Sequence, residues 1–222
     1  MDVILETLYG CFRQFKQKRE EGRVVNISME TIKRLLSLPD KNSYTGLRDY
    51  CLILLSLDNG IRPKEGLSLL PGDVNLKGLE VTVRAMNAKT RISRTLPISK
   101  VTADSLGRLL EGRPEVWGEL VPVFSSWEGT PMRVTSWGNR MVHKYSKMLK
   151  VKVRPYDLRH CFALNFLRNG GNLFALQRIL GHTNLDMTKH YLALSQGDIQ
   201  GEHSKATPLN SIMPRRSRAT KL

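Results

Sequence analysis

Hydrophobic side chains recur at intervals of three and four residues along most of this chain, which is the spacing of amphipathic helices. The pattern predicts helices over about residues 3–20, 29–36, 46–58, 102–110, 137–148, 159–169, 173–180 and 185–194. In the helix over residues 137–148, the side chains expected in the core are Trp137, Met141, Tyr145 and Met148. Ser28 and Asn172 suit the N-cap position of two of these helices, while Gly60 and Gly181 suit the left-handed position that follows a helix.

One segment has a different pattern. Residues 79–85 alternate apolar and polar side chains, which predicts a strand with one buried face. Residues 94–98 are expected to return as its antiparallel partner, across a connection that runs from Met86 to Arg91. The fold class is therefore predicted to be mainly α with a small antiparallel β-hairpin (α+β).

The charge balance indicates the kind of partner. The 222 residues include 35 Lys and Arg against 20 Asp and Glu, which gives a net charge of +15 and a pI near 10.0. Such an excess favours a polyanion, and nucleic acid is the expected partner. A ribosomal-type protein or a basic protein of membrane surfaces would have the same charge.

Cysteine usage and hydropathy indicate the compartment. Cys11, Cys51 and Cys161 are widely separated and form no Cys-x-x-Cys pair, so we expect reduced thiols in a cytoplasmic protein. The longest apolar run, Tyr50 to Leu57, is too short to span a bilayer. The N-terminus lacks the leading basic region of a secretory signal.

The densest group of chemically distinctive residues lies between Arg154 and Leu194. Arg159 begins an apolar helix, His182 follows Gly181 at a sharp corner between two helices, and Tyr191 lies nine positions later. Two packed helices and a tight turn would fix an arginine, an imidazole and a phenol relative to one another. Each residue alone also has an ordinary structural explanation, as a helix C-cap or a packed tyrosine.

Two upstream segments add charged candidates. Arg62 and Glu65 flank Pro63, which suits the first position of a helix, and taken alone they would form an ordinary surface pair. Lys89 lies near the tip of the predicted hairpin, where a solvated, phosphate-contacting lysine is an equally weighted alternative.

In this order and spacing the residues resemble the signature of the tyrosine recombinases, the phage-integrase family of site-specific DNA recombinases. The matching residues are Arg62, Glu65, Lys89, Arg159, His182 and Tyr191. The departure is Tyr156, which stands where the family usually has a histidine. The resemblance covers about residues 28–194 and implies the tyrosine recombinase catalytic-domain fold.

The resemblance also implies a mechanism. Arg62 and Arg159 would clamp the scissile phosphate, since a planar guanidinium donates two hydrogen bonds and neutralises charge in the transition state. Tyr191 would attack phosphorus and form a 3′-phosphotyrosyl link, leaving a free 5′ hydroxyl. The covalent link conserves the energy of the cleaved bond, so neither ATP, nor a metal, nor another cofactor is expected.

The remaining matched residues would assist. Lys89, with Arg91 as the fallback, would protonate the leaving oxygen, and His182 would bond the phosphate or assist proton transfer. Glu65 would orient the site as a supporting residue. Tyr156 is carried as a catalytic candidate, but a tyrosine mainly donates a hydrogen bond where a histidine would titrate. Which group activates the nucleophile therefore stays open.

Double-stranded DNA is the partner that the resemblance implies. Basic residues on the hairpin and on the helix near residues 137–148 are expected to contact its backbone. These residues are Arg84, Arg91, Arg94, Arg140, Lys144 and Lys147. On DNA, and hence in the nucleoid, we expect a homo-oligomer that forms a tetramer in the synaptic complex, with no membrane association.

Three segments are expected along the chain. Residues 1–27 are an N-terminal helix and basic linker, residues 28–194 the catalytic domain, and residues 195–222 a C-terminal segment with a basic tail, a candidate for contact between protomers. Family members usually carry a separate N-terminal domain that clamps DNA, and too little chain precedes Ser28 to form one. We therefore expect an excised catalytic domain or a naturally short member, with weak and salt-dependent DNA binding.

Three alternative functions stay open. A non-catalytic DNA-binding regulator derived from a recombinase would explain Tyr156 and the missing N-terminal domain, although the intact set of other residues argues against it. A type IB topoisomerase would share the chemistry without exchanging partner strands. A generic basic nucleic-acid-binding protein would leave the spacing unexplained.

Overall fold

The structure is a computed structural model that describes residues 27–195, 203–204 and 206–212. The helices are α1 (Met29–Ser37), α2 (Tyr44–Asn59), α3 (Pro63–Leu67), α4 (Lys100–Glu111), α5 (Val134–Asn139), α6 (Ser146–Leu149), α7 (Pro155–Arg168), α8 (Leu173–Leu180), α9 (Asp186–Ser195) and α10 (Leu209–Ile212). The strands are β1 (Val74–Asn75), β2 (Glu80–Val83) and β3 (Arg94–Pro97), which form one antiparallel sheet in that order.

The mainly helical class with a small antiparallel sheet is confirmed. Strands β2 and β3 pair as the predicted hairpin, with Val81 opposite Leu96. The two-residue strand β1 was not predicted, because a segment that short carries no periodicity. The predicted helix over residues 3–20, the linker that follows it, Cys11 and the basic tail lie outside the described residues.

Helix α2 is the centre of the main core. Its side chains Cys51, Leu52, Ile53 and Leu55 are fully buried, and α2 packs against both α4 and α7. Each such apolar side chain contributes about 1.5–3 kcal/mol when it is removed from water. The Ser43 hydroxyl caps the first turn of α2 by accepting the Gly46 N–H at 3.2 Å. The helix that leads into Gly60 and Arg62 is therefore anchored in the main core.

The helix boundaries follow the predicted caps. Ser28 and Asn172 accept backbone N–H groups at the starts of α1 and α8. Ser99 is the N-cap of α4. Gly60 and Gly181 adopt left-handed conformations, with φ of 64° and 60°. The corners on either side of the site are thus set by local sequence.

One predicted core stripe needs a correction. Helices α5 and α6 are joined without a break by a π-helical turn, Arg140–Tyr145. Trp137, Met141 and Tyr145 are buried as predicted, but Met148 is 52% exposed and Leu149 takes its place in the core. The π-helical turn has more residues than an α-helical turn, so positions four apart stay on one face. The prediction that Met148 is buried was wrong because it assumed the spacing of an α-helix throughout.

Helices α7, α8 and α9 enclose a second, smaller core. It consists of Phe162, Ala163, Leu164, Leu176, Leu180 and Tyr191. This cluster fixes the corner after α8 and the start of α9 against α7. Cys51 and Cys161 are buried free thiols. Among the described residues, no helix is long and apolar enough to cross a membrane.

Candidate active site

Three arginines converge on the C-terminal end of α8. Each donates a hydrogen bond to one of three consecutive backbone carbonyls. The pairs are Arg94 to Ile179 (3.2 Å), Arg159 to Leu180 (2.8 Å) and Arg62 to Gly181 (3.1 Å). The last carbonyls of a helix lack partners within the helix and carry its negative dipole end, so guanidinium groups are favoured there. A helix end thereby gathers residues from three distant parts of the sequence.

Glu65 holds two of these arginines from the other side. Its buried carboxylate accepts two bonds from the Arg94 guanidinium, at 3.1 and 2.6 Å, one from the Arg62 guanidinium at 3.1 Å and one from the Arg62 backbone N–H at 3.2 Å. Burial by itself raises the pKa of the Glu65 carboxyl, but the bonds and charges of Arg94 and Arg62 outweigh burial and hold the pKa below its ordinary value. Glu65 is therefore an anion that fixes two cations.

Arg94 differs from its prediction. We expected it on a solvated face of the hairpin, in contact with DNA. Its side chain is instead 12% exposed and is bonded to Glu65 and to the end of α8. Gly181 permits this approach, because a Cβ there would lie 3.2 Å from Arg94 Cζ. In this structure Arg94 is a positioning residue of the site.

Arg159 is the most buried cation of the group. Its Nη1 donates to the Gly60 carbonyl at 2.6 Å, and its Nη2 contacts His182 Nε2 at 3.1 Å. Burial, followed by the nearby charge of Arg62, lowers the pKa of Arg159 to about 9, so it remains a cation at neutral pH. Within the described residues its contacts use three of its five N–H donors. Two donors are left for a ligand.

His182 is held as a neutral imidazole. An arginine N–H can only donate, so Nε2 accepts from Arg159 and the ring proton lies on Nδ1. Nδ1 in turn lies 2.9 Å from the hydroxyl of buried Thr188. Burial and the neighbouring cations, Arg159 first, lower the pKa of His182 to about 3. Thr188 was not predicted, and a threonine on a helix carries no signal of this role.

Tyr191 lies against the same group. Only 4% of it is exposed, and its Oη is 2.6 Å from His160 Nδ1. Burial raises the pKa of the phenol, while Arg159 and Arg62 act in the opposite direction. His160 was missed by sequence reasoning. Its position next to Arg159, together with the loss of the usual histidine at Tyr156, was the available signal.

Three predicted catalytic candidates lie apart from this group. Lys89 and Arg91 are exposed in the connection between β2 and β3. Tyr156 is 51% exposed on the first turn of α7. In residues 27–195, the side chains of these three form no hydrogen bond or ion pair within the protein. They are free to meet a ligand over the site, but the protein alone does not fix them.

The other predicted DNA contacts divide into two kinds. Arg84 pairs with Asp73, and Arg140 pairs with buried Asp49 at 3.2 Å, so both have a structural partner. Lys144 and Lys147 are exposed on the π-helical turn and on α6. The described residues contain no group of three or more His, Cys, Asp or Glu side chains that could hold a metal ion.

Known proteins share this arrangement of elements. The family profile described as "Phage integrase family" matches residues 26–197. The tyrosine recombinase XerD of Lacticaseibacillus casei is 30% identical over 195 residues, which cover 86% of this chain and 66% of the relative. The chain therefore spans just under two thirds of that relative's length.

Solved structures agree. The catalytic domain of bacteriophage HP1 integrase has a TM-score of 0.60 and 25% identity, with 85% of this chain and 98% of that chain covered. The Tn1549 transposon integrase, in complex with transposon right end DNA, has a TM-score of 0.68 and 22% identity, with 83% and 66% covered. The extent of the family match establishes the conclusion: this chain belongs to the phage integrase family, the tyrosine recombinases.

Proposed function

We propose that this chain is the catalytic part of a site-specific DNA recombinase, which cleaves and rejoins DNA through a covalent bond between Tyr191 and a 3′ phosphate. The observation that carries the proposal is the convergence of Arg62, Arg159 and His182 on one helix end, with a buried tyrosine beside them. A tyrosine under the influence of two arginines is suited to attack a phosphodiester, because the cations stabilise the extra negative charge of the transition state.

Each group has a role in this reaction. Arg62 and Arg159 bind the non-bridging oxygens of the phosphate with the donors that the protein leaves unused. His182 adds a fixed, neutral polar group at the same place. Lys89, or Arg91 as the fallback, closes over the phosphate with its exposed loop when DNA binds and protonates the leaving 5′ oxygen. Glu65 and Arg94 hold the arginines in position.

Double-stranded DNA is the proposed substrate. The net charge of +15 supports it, and the similar Tn1549 integrase structure contains transposon DNA. Exposed Lys144 and Lys147 are the proposed contacts to the DNA backbone outside the site. We further propose that protomers assemble as a tetramer on DNA, with residues 195–222 in contact between protomers.

The test is a covalent-trapping assay. The protein is mixed with a pool of nicked duplexes, denatured in SDS and examined for a DNA-linked, protease-sensitive species. We expect this species with the wild type, and its complete loss with Tyr191→Phe, which keeps the ring but removes the nucleophile. Salt-sensitive DNA binding without any trapped species, in the wild type and after fusion to an N-terminal DNA-binding domain, would instead identify a non-catalytic regulator.

A further inference from the structure

The hydroxyl of Tyr191 has a single hydrogen-bond partner within the described residues. That partner is His160 Nδ1, at a distance of 2.6 Å, which is at the short end of the range for such bonds. The two rings lie beside each other, with centroids 5.7 Å apart. His160 follows Arg159 directly in α7, so one turn of this helix presents both a buried guanidinium and an imidazole to the site.

Both groups of this bond are uncharged at neutral pH. Burial raises the pKa of Tyr191, so the phenol keeps its proton at neutral pH. Burial also lowers the pKa of His160; Arg159 and His190 act in the same direction, and Asp157 acts against them. A neutral imidazole has one nitrogen with a free lone pair. In the tautomer with the ring proton on Nε2, the phenol donates to Nδ1 and the imidazole can accept its proton.

The other candidate bases are occupied or misplaced. Both ring nitrogens of His182 are engaged, one by Arg159 and the other by Thr188. Tyr156 is half exposed, and its side chain forms no hydrogen bond to Tyr191 within the described residues. Among the described side chains, His160 alone has a ring nitrogen within hydrogen-bond distance of the nucleophile's oxygen.

We propose that His160 is the general base that activates Tyr191. The proposal rests on the function proposed above. In cleavage, the O–H bond of Tyr191 breaks and its proton passes to His160 Nδ1. The phenolic oxygen then forms a bond to phosphorus, while the bond from phosphorus to the 5′ oxygen breaks and that oxygen takes a proton from Lys89 or Arg91. In rejoining, the imidazolium of His160 returns its proton to the departing phenol.

The direction of the bond is tested without DNA. In ¹⁵N-labelled protein, the nitrogen shifts and long-range couplings of the His160 ring distinguish a protonated nitrogen from an unprotonated one. We expect an unprotonated Nδ1 whose signal shifts in Tyr191→Phe, with the His160→Gln variant used for assignment. A protonated Nδ1 would mean that the imidazole donates to the phenol, and this result would overturn the proposal.

The catalytic role is tested with DNA recovered from the trapping assay. General-base catalysis typically contributes about 10²–10⁴-fold, so His160→Gln should slow single-turnover trapping by at least about 100-fold. The matched control is His190→Gln, the same change at an exposed histidine next to Tyr191, and it should trap DNA at the wild-type rate. Melting temperature and DNA affinity are measured for each variant, and His160→Ala is added if the glutamine variant is unstable.

A substrate with sulfur in place of the bridging 5′ oxygen separates the base from the acid. A thiolate leaves without a proton far more readily than an alkoxide, so this substrate should restore trapping by Lys89→Ala but not by His160→Gln. Restoration of His160→Gln, or its full activity on ordinary DNA, would overturn the assignment of the base while the recombinase function stood. If the wild type traps no DNA, the proposed recombinase function is wrong, and the assignment of His160 as its general base is wrong as well.

Discussion

The hydroxyl of Thr188 lies 2.9 Å from His182 Nδ1 and accepts the ring proton that the donation from Arg159 to Nε2 places there. The relationship joins the corner after α8 to the first turn of α9, the helix that carries Tyr191. Because Nδ1 holds the ring proton, Nε2 is left as the acceptor for Arg159. A buried threonine thus gives the Nδ1 proton of His182 a hydrogen-bond partner.

Replacement of Thr188 with valine tests this relationship. Valine has nearly the same shape but leaves the Nδ1 proton without a partner, which costs about 1–3 kcal/mol for a buried donor. We expect roughly a tenfold or greater loss in trapping rate, since 1.4 kcal/mol corresponds to a factor of ten. Thr188→Ser keeps the hydroxyl and should retain most of the rate. Equal rates for the two variants would contradict a role for the hydroxyl.

Glu65→Gln should destabilise the protein. The change leaves Arg62 and Arg94 without their buried anion, and loss of one partner from a buried ion pair costs on the order of 3 kcal/mol or more. Denaturant unfolding measures this change. The matched control is Asp104→Asn, which removes the exposed partner of Lys100 and should alter the free energy of unfolding by less than about 0.5 kcal/mol. Similar losses in both variants would show that the Glu65 network adds nothing beyond surface charge.

The lowered pKa of His182 predicts a loss of stability between pH 7 and pH 5. In the folded protein this pKa is about 3, so the ring stays neutral, whereas the unfolded ring has a pKa of about 6.5 and binds a proton. Acid therefore favours the unfolded chain, by up to about 2 kcal/mol over this interval. His160, whose pKa is also lowered, contributes in the same direction.

His182→Gln should reduce this dependence on pH. The measurement is the free energy of unfolding by denaturant at pH 5 and at pH 7 for the wild type and the variant. His143→Gln, a change at a histidine exposed to water, should retain the wild-type difference. If the difference is unchanged in His182→Gln, the imidazole is not held neutral in the folded protein.

Gly181→Ala separates backbone strain from crowding at the site. Gly181 and Gly170 both have positive φ, of 60° and 83°, so alanine should cost about 1 kcal/mol of stability at either position. An added Cβ at Gly181 would press on Arg94, whereas one at Gly170 meets nothing within 4 Å. We expect both variants to lose stability, but only Gly181→Ala to lose trapping activity, by roughly tenfold for a shift of about 1.4 kcal/mol.

The sequence by itself determined the local features. Ser28, Asn172, Gly60 and Gly181 act on the backbone within one turn, so helix ends could be placed without knowledge of the rest of the molecule. The spacing of Arg159, His182 and Tyr191 also follows from helix lengths and a tight turn. For this reason the family signature, and the fold class with it, could be identified from the chain alone.

Only the tertiary structure decided which side chains meet. Arg94 bonds Glu65 across 29 positions, and His160 bonds Tyr191 across 31, because separate elements pack together and bring these residues within reach. Burial and neighbouring charges then set the charge states of these groups. Arg94, which was predicted to lie on the surface, is largely buried and supports Glu65 inside the site. No periodicity records such contacts, since they depend on where the carbonyls at the end of α8 lie in space. The sequence thus determined the signature of the site, while packing decided which residues hold the arginines and which base faces the nucleophile.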